Sequence, residues 1–282
     1  MSSQKKVIGM AHRGASFFAP ENTAASFRMA EETGIEGIET DVHLTRDGIP
    51  VIHHNYTVDS TSDGSGMISR MTLEELRRLD FGAWKGEQFR GERILTLDEL
   101  LNITGKFDLI NIELKSPVRK DPAFVRTVLS QVEKSGAAEK VMFSSFDPDL
   151  LYQVKQADGK YRVGLLTNPE GSENLILESC CSFCALYSIP DADSLLDSLT
   201  VPARSLAERV DSLPFHPDFL HAHYTSLLRN PSLAEEMHSR GIGVNLWTCD
   251  KPEEMKKLME AGADGIITNR PDLLMELEKS SI

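Results

Sequence analysis

His12 and Arg13 close a short apolar run, and Glu39 and Asp41 alternate within Ile38-Glu39-Thr40-Asp41-Val42. His53 and His54 close a second run, Pro50-Val51-Ile52. Two histidine sites, an arginine and a carboxylate pair thus fall between Ala11 and Asn55, each at the end of what reads as a strand. Imidazole titrates near neutral pH and suits proton transfer. Neighbouring carboxylates repel unless a hard divalent cation such as Mg2+ or Ca2+ neutralises them. A guanidinium clamps phosphate oxygens and stabilises charge that develops in a transition state. Together these groups have the composition of a metal-assisted phosphoryl-transfer site.

Periodicity supplies the elements that must hold them. Residues 7–11 read as a strand, and a helix follows from about 23 to 33, capped by Asn22 and stopped at Gly34. Residues 37–41 form the next strand, so the first unit is βαβ and its strands are parallel. The following connection breaks this rhythm. Val42–Thr45 and Pro50–His54 are joined only by Arg46-Asp47-Gly48-Ile49, too short for a parallel crossover. An antiparallel hairpin about Asp47-Gly48 must therefore return His54 close to Glu39 and Asp41.

Residues 55–107 carry Gly64, Gly66, Gly82, Gly86 and Gly91 and read as an insertion over the site. Short helices are expected there at the Thr72 capping box and from Thr96 to Leu101. Beyond it, strands are expected at 108–114, 140–145, 162–166, 219–222, 242–247 and 264–268, with helices at 121–135, 148–157, 231–240 and 252–261. With the first two, that makes eight parallel strands, which predicts a (β/α)8 TIM barrel occupying 1–282 as a single domain. A doubly wound open sheet lacks support, since no Gly-x-Gly-x-x-Gly turn follows the first strand. Residues 167–218 offer only a helix near 192–211.

In such a barrel the C-terminal strand ends share one mouth. That rule adds Glu113, Lys115, Phe146 and Trp247 to His12, Arg13, Glu39 and Asp41. The strand period of two puts Glu39 with Asp41, and Glu113 with Lys115, on common faces. His12 and His54 suit an acid–base pair, Arg13 and Lys115 a phosphate clamp, and Trp247 a wall for a carbon skeleton. His221-Ala222-His223 has the spacing of a strand-borne zinc pair, as in an amidohydrolase-like site, but such a pair normally lies at the first strand with carboxylate partners; His223 can still reach the mouth. Cys180, Cys181 and Cys184 lack a second Cys/His pair at zinc-finger spacing.

The net charge of −13 disfavours nucleic acid and anionic membrane as partners. The N-terminal apolar run is too short for a signal-peptide core, and no run is long enough to span a bilayer. Four cysteines in a chain of this length do not make a disulfide scaffold, so a reducing cytoplasmic location is expected, without stable membrane insertion.

The chain resembles the glycerophosphodiester phosphodiesterases. The resemblance lies in His12-Arg13-Gly14, Pro20-Glu21-Asn22-Thr23, Glu39-Thr40-Asp41 through Asp47-Gly48, and Pro50 through Asn55. It continues in Gly91-Glu92-Arg93-Ile94, Ile112-Glu113-Leu114-Lys115, Trp247-Thr248 and Gly262 through Pro271. It implies a TIM barrel with a small insertion after the second strand, and hydrolysis of glycerophosphodiesters to glycerol 3-phosphate and an alcohol. Carried over by position, His12 and His54 are the acid–base pair, while Glu39, Asp41 and Glu113 hold one divalent cation, Mg2+ or Ca2+. Arg13 and Lys115 contact phosphate, Trp247 borders the glycerol, and Glu21, Phe146 and His223 are secondary candidates.

The chain departs from the family pattern at Asn55 and Asn269, where relatives often have Asp, and at Val58-Asp59-Ser60-Thr61-Ser62, where an arginine is missing. A lysophospholipase D or phosphoinositide-type phosphodiesterase on the same barrel is the enzymatic alternative, with Phe17, Phe18, Phe81 and Phe89 as candidates for an acyl groove. A non-catalytic phosphodiester or polyol sensor is the alternative of another class. The intact set of His12, His54, Glu39, Asp41 and Glu113 argues against it.

Overall fold

The computed structural model describes residues 6–116, 122–168 and 205–280. In chain order its strands are β1 (Ile8–His12), β2 (Gly37–Leu44), the short β3 (Pro50–Ile52) and β4 (Leu95–Thr96), and β5 (Leu109–Leu114). They continue as β6 (Val141–Ser145), β7 (Arg162–Thr167), β8 (Phe219–His223), β9 (Gly243–Trp247) and β10 (Gly265–Thr268). All but β3 and β4 run parallel, and β1 pairs with both β2 and β10, so the eight close into the expected (β/α)8 barrel. Helices cover both faces of an open parallel sheet but only the outside of a closed one. The inner faces must therefore pack against each other or line a site.

That constraint shows in β2 and β5. Every residue of β5 is buried, as is every residue of β2 except Leu44. Their outward Ile38, Val42, Ile110, Ile112 and Leu114 join one apolar cluster with the helices, including Phe124, Val128 and Leu100. Glu39, Asp41, Asn111 and Glu113 are left facing inward. Parallel pairing sets Glu39 opposite Asn111 and Asp41 opposite Glu113, which fixes the height of the site in the barrel.

The hairpin forms as its length requires. Val42 faces Ile52 and Leu44 faces Pro50 across an antiparallel pair, with Gly48 left-handed (φ 77°) at the turn. β4 then adds to the free edge of β3, a pairing the sequence did not announce, and leads into a helix over Leu97–Ile103. Between β3 and β4, Val51, Val58, Ile68, Leu76, Phe81 and Ile94 form a separate small core. Phe81, expected as a groove residue, is thus committed to packing.

The capping assignment at the first helix needs correction. Thr23, not Asn22, caps Ala24–Thr33, in a reciprocal box with Ser26. Asn22 is left-handed (φ 59°), a conformation an asparagine tolerates better than most residues, and its carboxamide turns inward. The helix expected at 231–240 is shorter, Leu233–His238. Helices over Tyr224–Arg229 and Pro271–Ser280 were not foreseen; the first is too short to carry a periodic signal. Of the helix expected near 192–211, Leu206–Asp211 is seen, and the remainder through 204 lies outside the described residues.

Asp80 organises the insertion loop. Its carboxylate accepts from the backbone N–H groups of Gly82 (2.8 Å), Ala83 (2.8 Å) and Gly91 (2.7 Å). Donation by Ala83 and Gly82 outweighs burial and lowers its pKa. Asp80→Ala should therefore cost about 2 kcal/mol in urea unfolding at neutral pH. An acid with a lowered native pKa stabilises fully above its unfolded value of about 3.9. The gap between wild type and variant should accordingly close as pH falls through the lowered native value.

Candidate active site

The site begins with three buried carboxylates. One oxygen from each of Glu39, Asp41 and Glu113 lies within 4.8 Å of the others. The parallel register of β2 and β5 creates this proximity, because it makes Asp41 and Glu113 direct neighbours while period two stacks Glu39 beneath Asp41. Burial and the neighbouring Asp41 carboxylate raise Glu39 well above the usual carboxylate range. Burial likewise raises Glu113, to about 7, against the pull of Lys115. Burial also disfavours the Asp41 anion. The neighbouring His54, Lys115 and Arg13 and the Asn22 amide overcome it, and the Asp41 pKa is depressed.

The contacts account for this split. Lys115 Nζ lies 2.9 Å from Glu113 Oε1 and 3.4 Å from Asp41 Oδ1. Arg13 Nε stands 3.6 Å from Asp41 Oδ2, to which Asn22 Nδ2 donates at 2.9 Å. Asp41 Oδ1 is buried and accepts no hydrogen bond among the described residues. Two cations among three carboxylates leave one negative charge uncompensated when all three are ionised. An all-oxygen donor set with a buried, unbonded carboxylate oxygen fits a hard divalent cation and not a soft one.

Arg13 reaches the cluster through an uncommon turn. Both Arg13 (φ 55°) and Gly14 (φ 79°) are left-handed, and a Cβ on Gly14 would lie 2.5 Å from Ser26 Oγ. Only glycine lets the loop pack that closely on the first helix. The turn also aims the Arg13 N–H at the Glu39 carbonyl (2.9 Å) and carboxylate (3.2 Å). Its guanidinium Nη1 donates to Glu21 Oε1 at 2.9 Å, so Glu21 serves as an anchor for Arg13.

His12 and His54 line the same cavity of about 270 Å3, together with Arg13, Glu39 and Glu113. Burial, reinforced by Arg13, holds the His12 pKa down at about 3. Burial, reinforced by Lys115, holds His54 at about 2. Both imidazoles are therefore neutral in the protein alone. The alternation of the strand end separates His54 from His53, which is buried, bonded to Thr61 Oγ1 (2.8 Å) and packed edge-on against Phe81.

Phe146 and Trp247 form the cavity's apolar wall, meeting edge-to-face at 5.6 Å between centroids. His223 stays behind that wall. Its ring meets Trp247 edge-on at 5.3 Å, and Nδ1 pairs with Thr225 at the start of the next helix. Lys115 lies among the carboxylates and does not line the cavity wall. His221 is buried against Asn245, and among the described residues the Glu39–Asp41–Glu113 set is the only cluster able to hold a metal. Cys249 is buried; Cys180, Cys181 and Cys184 lie outside the described residues.

Sequence reasoning missed Asn22, Asn111 and Ser144. Asn111 and Ser144 line the cavity, and neither the Asn111 carboxamide nor the Ser144 hydroxyl has a hydrogen-bond partner among the described residues. Asn111 carries a readable signal, since it stands two residues before Glu113 on the same strand face.

The sequence profile of the Glycerophosphoryl diester phosphodiesterase family matches residues 12–273. A glycerophosphodiester phosphodiesterase of Caldanaerobacter subterraneus is 35% identical over 273 residues, covering 96% of this chain and 98% of its own. The crystal structure of a putative glycerophosphoryl diester phosphodiesterase from Silicibacter pomeroyi superposes with a TM-score of 0.80 at 24% identity, covering 99% of this chain and 95% of its own. An Oleispira antarctica phosphodiesterase, solved with its product sn-glycerol-3-phosphate, superposes with a TM-score of 0.76 at 25% identity, covering 96% of each chain.

The carboxylate cluster predicts a thermal response. Mg2+ or Ca2+ should raise the melting temperature and EDTA should reverse the rise, the stabilisation reaching about 2.7 kcal/mol at a hundredfold excess over Kd. In Asp41→Asn the ion-dependent rise should vanish. A rise of equal size in that variant would place the ion elsewhere.

Proposed function

Because this chain belongs to the glycerophosphoryl diester phosphodiesterase family and is a glycerophosphodiester phosphodiesterase, we infer that its substrate binds in the cavity lined by His12 and His54. From that premise we propose hydrolysis to sn-glycerol 3-phosphate and an alcohol, with His12 and His54 moving the protons and Glu39, Asp41 and Glu113 holding one divalent cation, Mg2+ or Ca2+. The observation that carries the reading is the single cavity lined by both histidines and by two of the three clustered carboxylates. A bound cation would supply positive charge to a phosphoryl oxygen.

The chain's own groups divide the remaining work. One imidazole accepts the proton of the attacking oxygen, and the other, once protonated beside the bound phosphodiester anion, donates to the leaving alkoxide, which requires the two to flank the phosphorus. Arg13 Nε is buried and donates to nothing among the described residues, so it has a hydrogen to offer a phosphate oxygen. Lys115, tied to Glu113 and Asp41, keeps the cluster compact and lends its charge from behind. Phe146 and Trp247 shape an apolar face for the glycerol carbons, while Asn111 and Ser144 offer unpaired polar atoms to its hydroxyls. Among the described residues no helix is long and apolar enough to cross a membrane.

The test is glycerol 3-phosphate release from glycerophosphocholine and glycerophosphoethanolamine, with Mg2+, with Ca2+ and with excess EDTA. Release should require an ion. His12→Ala should lose about 10²–10⁴-fold in kcat while keeping its circular dichroism spectrum. Undiminished turnover in His12→Ala would sink the acid–base assignment, and release unaffected by EDTA would sink the metal.

A further inference from the structure

Behind His12, on the side away from the carboxylates, the structure holds an ordered chain of polar groups. His12 Nδ1 lies 2.7 Å from Asn269 Oδ1, and Asn269 Nδ2 donates to Asp250 Oδ2 at 2.7 Å. The other Asp250 oxygen accepts from the Asn269 backbone N–H (2.8 Å) and from Thr268 Oγ1 (3.0 Å). Ser16 Oγ donates to the same Asn269 oxygen at 2.7 Å. Asp250 follows β9, and Asn269 follows β10, so both stand at the mouth of the barrel.

The chemistry of the donors decides the direction of this chain. An ionised carboxylate only accepts, so the Asn269 amide must turn its NH2 toward Asp250. Its oxygen then faces His12, and an oxygen facing a ring nitrogen at 2.7 Å requires that nitrogen to carry the hydrogen. We propose that Asn269, locked by Asp250, is a positioning residue that holds His12 as the Nδ1–H tautomer with its Nε2 lone pair directed at the reacting phosphate. Nε2 lies on the opposite edge of the ring, 3.8 Å from Glu39 Oε2, where the carboxylate cluster begins.

A histidine in the other tautomer would present an N–H to the attacking oxygen and could not take its proton. Asn269 thus determines which half of the proton chemistry His12 can perform: in the protein alone His12 is a base. His54 shows a similar contact, Nδ1 to Asn55 Oδ1 at 2.7 Å, with Asn55 Nδ2 on Ser60 Oγ. A hydroxyl can donate or accept, so that chain does not dictate a direction, and the inference is confined to His12. It rests on the reading of His12 as an acid–base group.

The test uses full-length, metal-loaded enzyme and four variants: His12→Ala, Asn269→Ala, Asn269→Asp, and the exchange of both partners, N269D/D250N. Asn269→Ala should lower kcat about 10–100-fold with KM nearly unchanged, because it misorients the base without touching substrate. Asn269→Asp alone should lose as much, since two carboxylates would face each other across the site of a hydrogen bond. The exchange restores one donor and one acceptor in the reverse order and should recover kcat to within a few-fold of wild type. A merely structural anchor predicts that kcat follows thermal stability across the series and not donor–acceptor matching. Independently of activity, 15N spectra of the wild-type ring should show a protonated Nδ1 and a bare Nε2, and Asn269→Ala should mix the tautomers.

The inference is overturned by a protonated Nε2 in the wild type, by wild-type kcat in Asn269→Ala, or by an exchange variant no better than Asn269→Asp. Loss of turnover in His12→Ala with full turnover in Asn269→Ala would overturn this inference alone. Full turnover in His12→Ala would instead overturn the acid–base reading beneath it.

Discussion

Three carboxylates buried within reach of one ion repel one another, and most of the mouth of this barrel answers that repulsion. Lys115 bridges Glu113 and Asp41, Arg13 leans on Asp41, and Asn22 donates to it. The supporting parts are in turn constrained. Arg13 can reach the cluster only through successive left-handed residues, Gly14 must lack a side chain for that turn to pack, and Asn22 must be left-handed to aim its amide. The conformational cost of the first loop is thus tied to the charge distribution of the site, as expected where strain is concentrated at functional positions.

The closed sheet provides the second constraint. Strands buried on both faces normally carry apolar residues throughout, yet β2 and β5 place Glu39, Asp41, Asn111 and Glu113 inward. These residues contribute nothing to an apolar interior, and Glu39 and Glu113 are disfavoured as anions by burial. The outer faces of the same strands compensate by packing fully against the surrounding helices. The insertion keeps its own small core, so the chain can leave the barrel after β3 and return through β4 without drawing on the main one.

Much of this was legible in the sequence because it depends on short-range rules. Alternation within Glu39-Thr40-Asp41 and Asn111-Ile112-Glu113 defines inward faces, and the four residues Arg46–Ile49 can only turn back on themselves. Strand positions followed from apolar runs separated by helical periods, and their number implied closure. The motifs that carry the family resemblance are those same segments, which is why fold and reaction class emerged together.

Tertiary structure decided what no local rule could. Asn22 has the sequence of a helix cap and became a ligand of Asp41, because Thr23 and Ser26 cap each other and left its amide to serve a strand 18 or more residues away. Lys115 shares the strand period of Glu113, but its place among the carboxylates depends on Asp41 across the β2–β5 register. Asn269 lies 257 residues from His12, and only closure of β10 onto β1 brings them together. The residue types, the strand pattern and the hairpin were written locally. The partners of each polar group were chosen by closing the barrel, since a hydrogen bond in a buried site must be found wherever the fold happens to bring a donor.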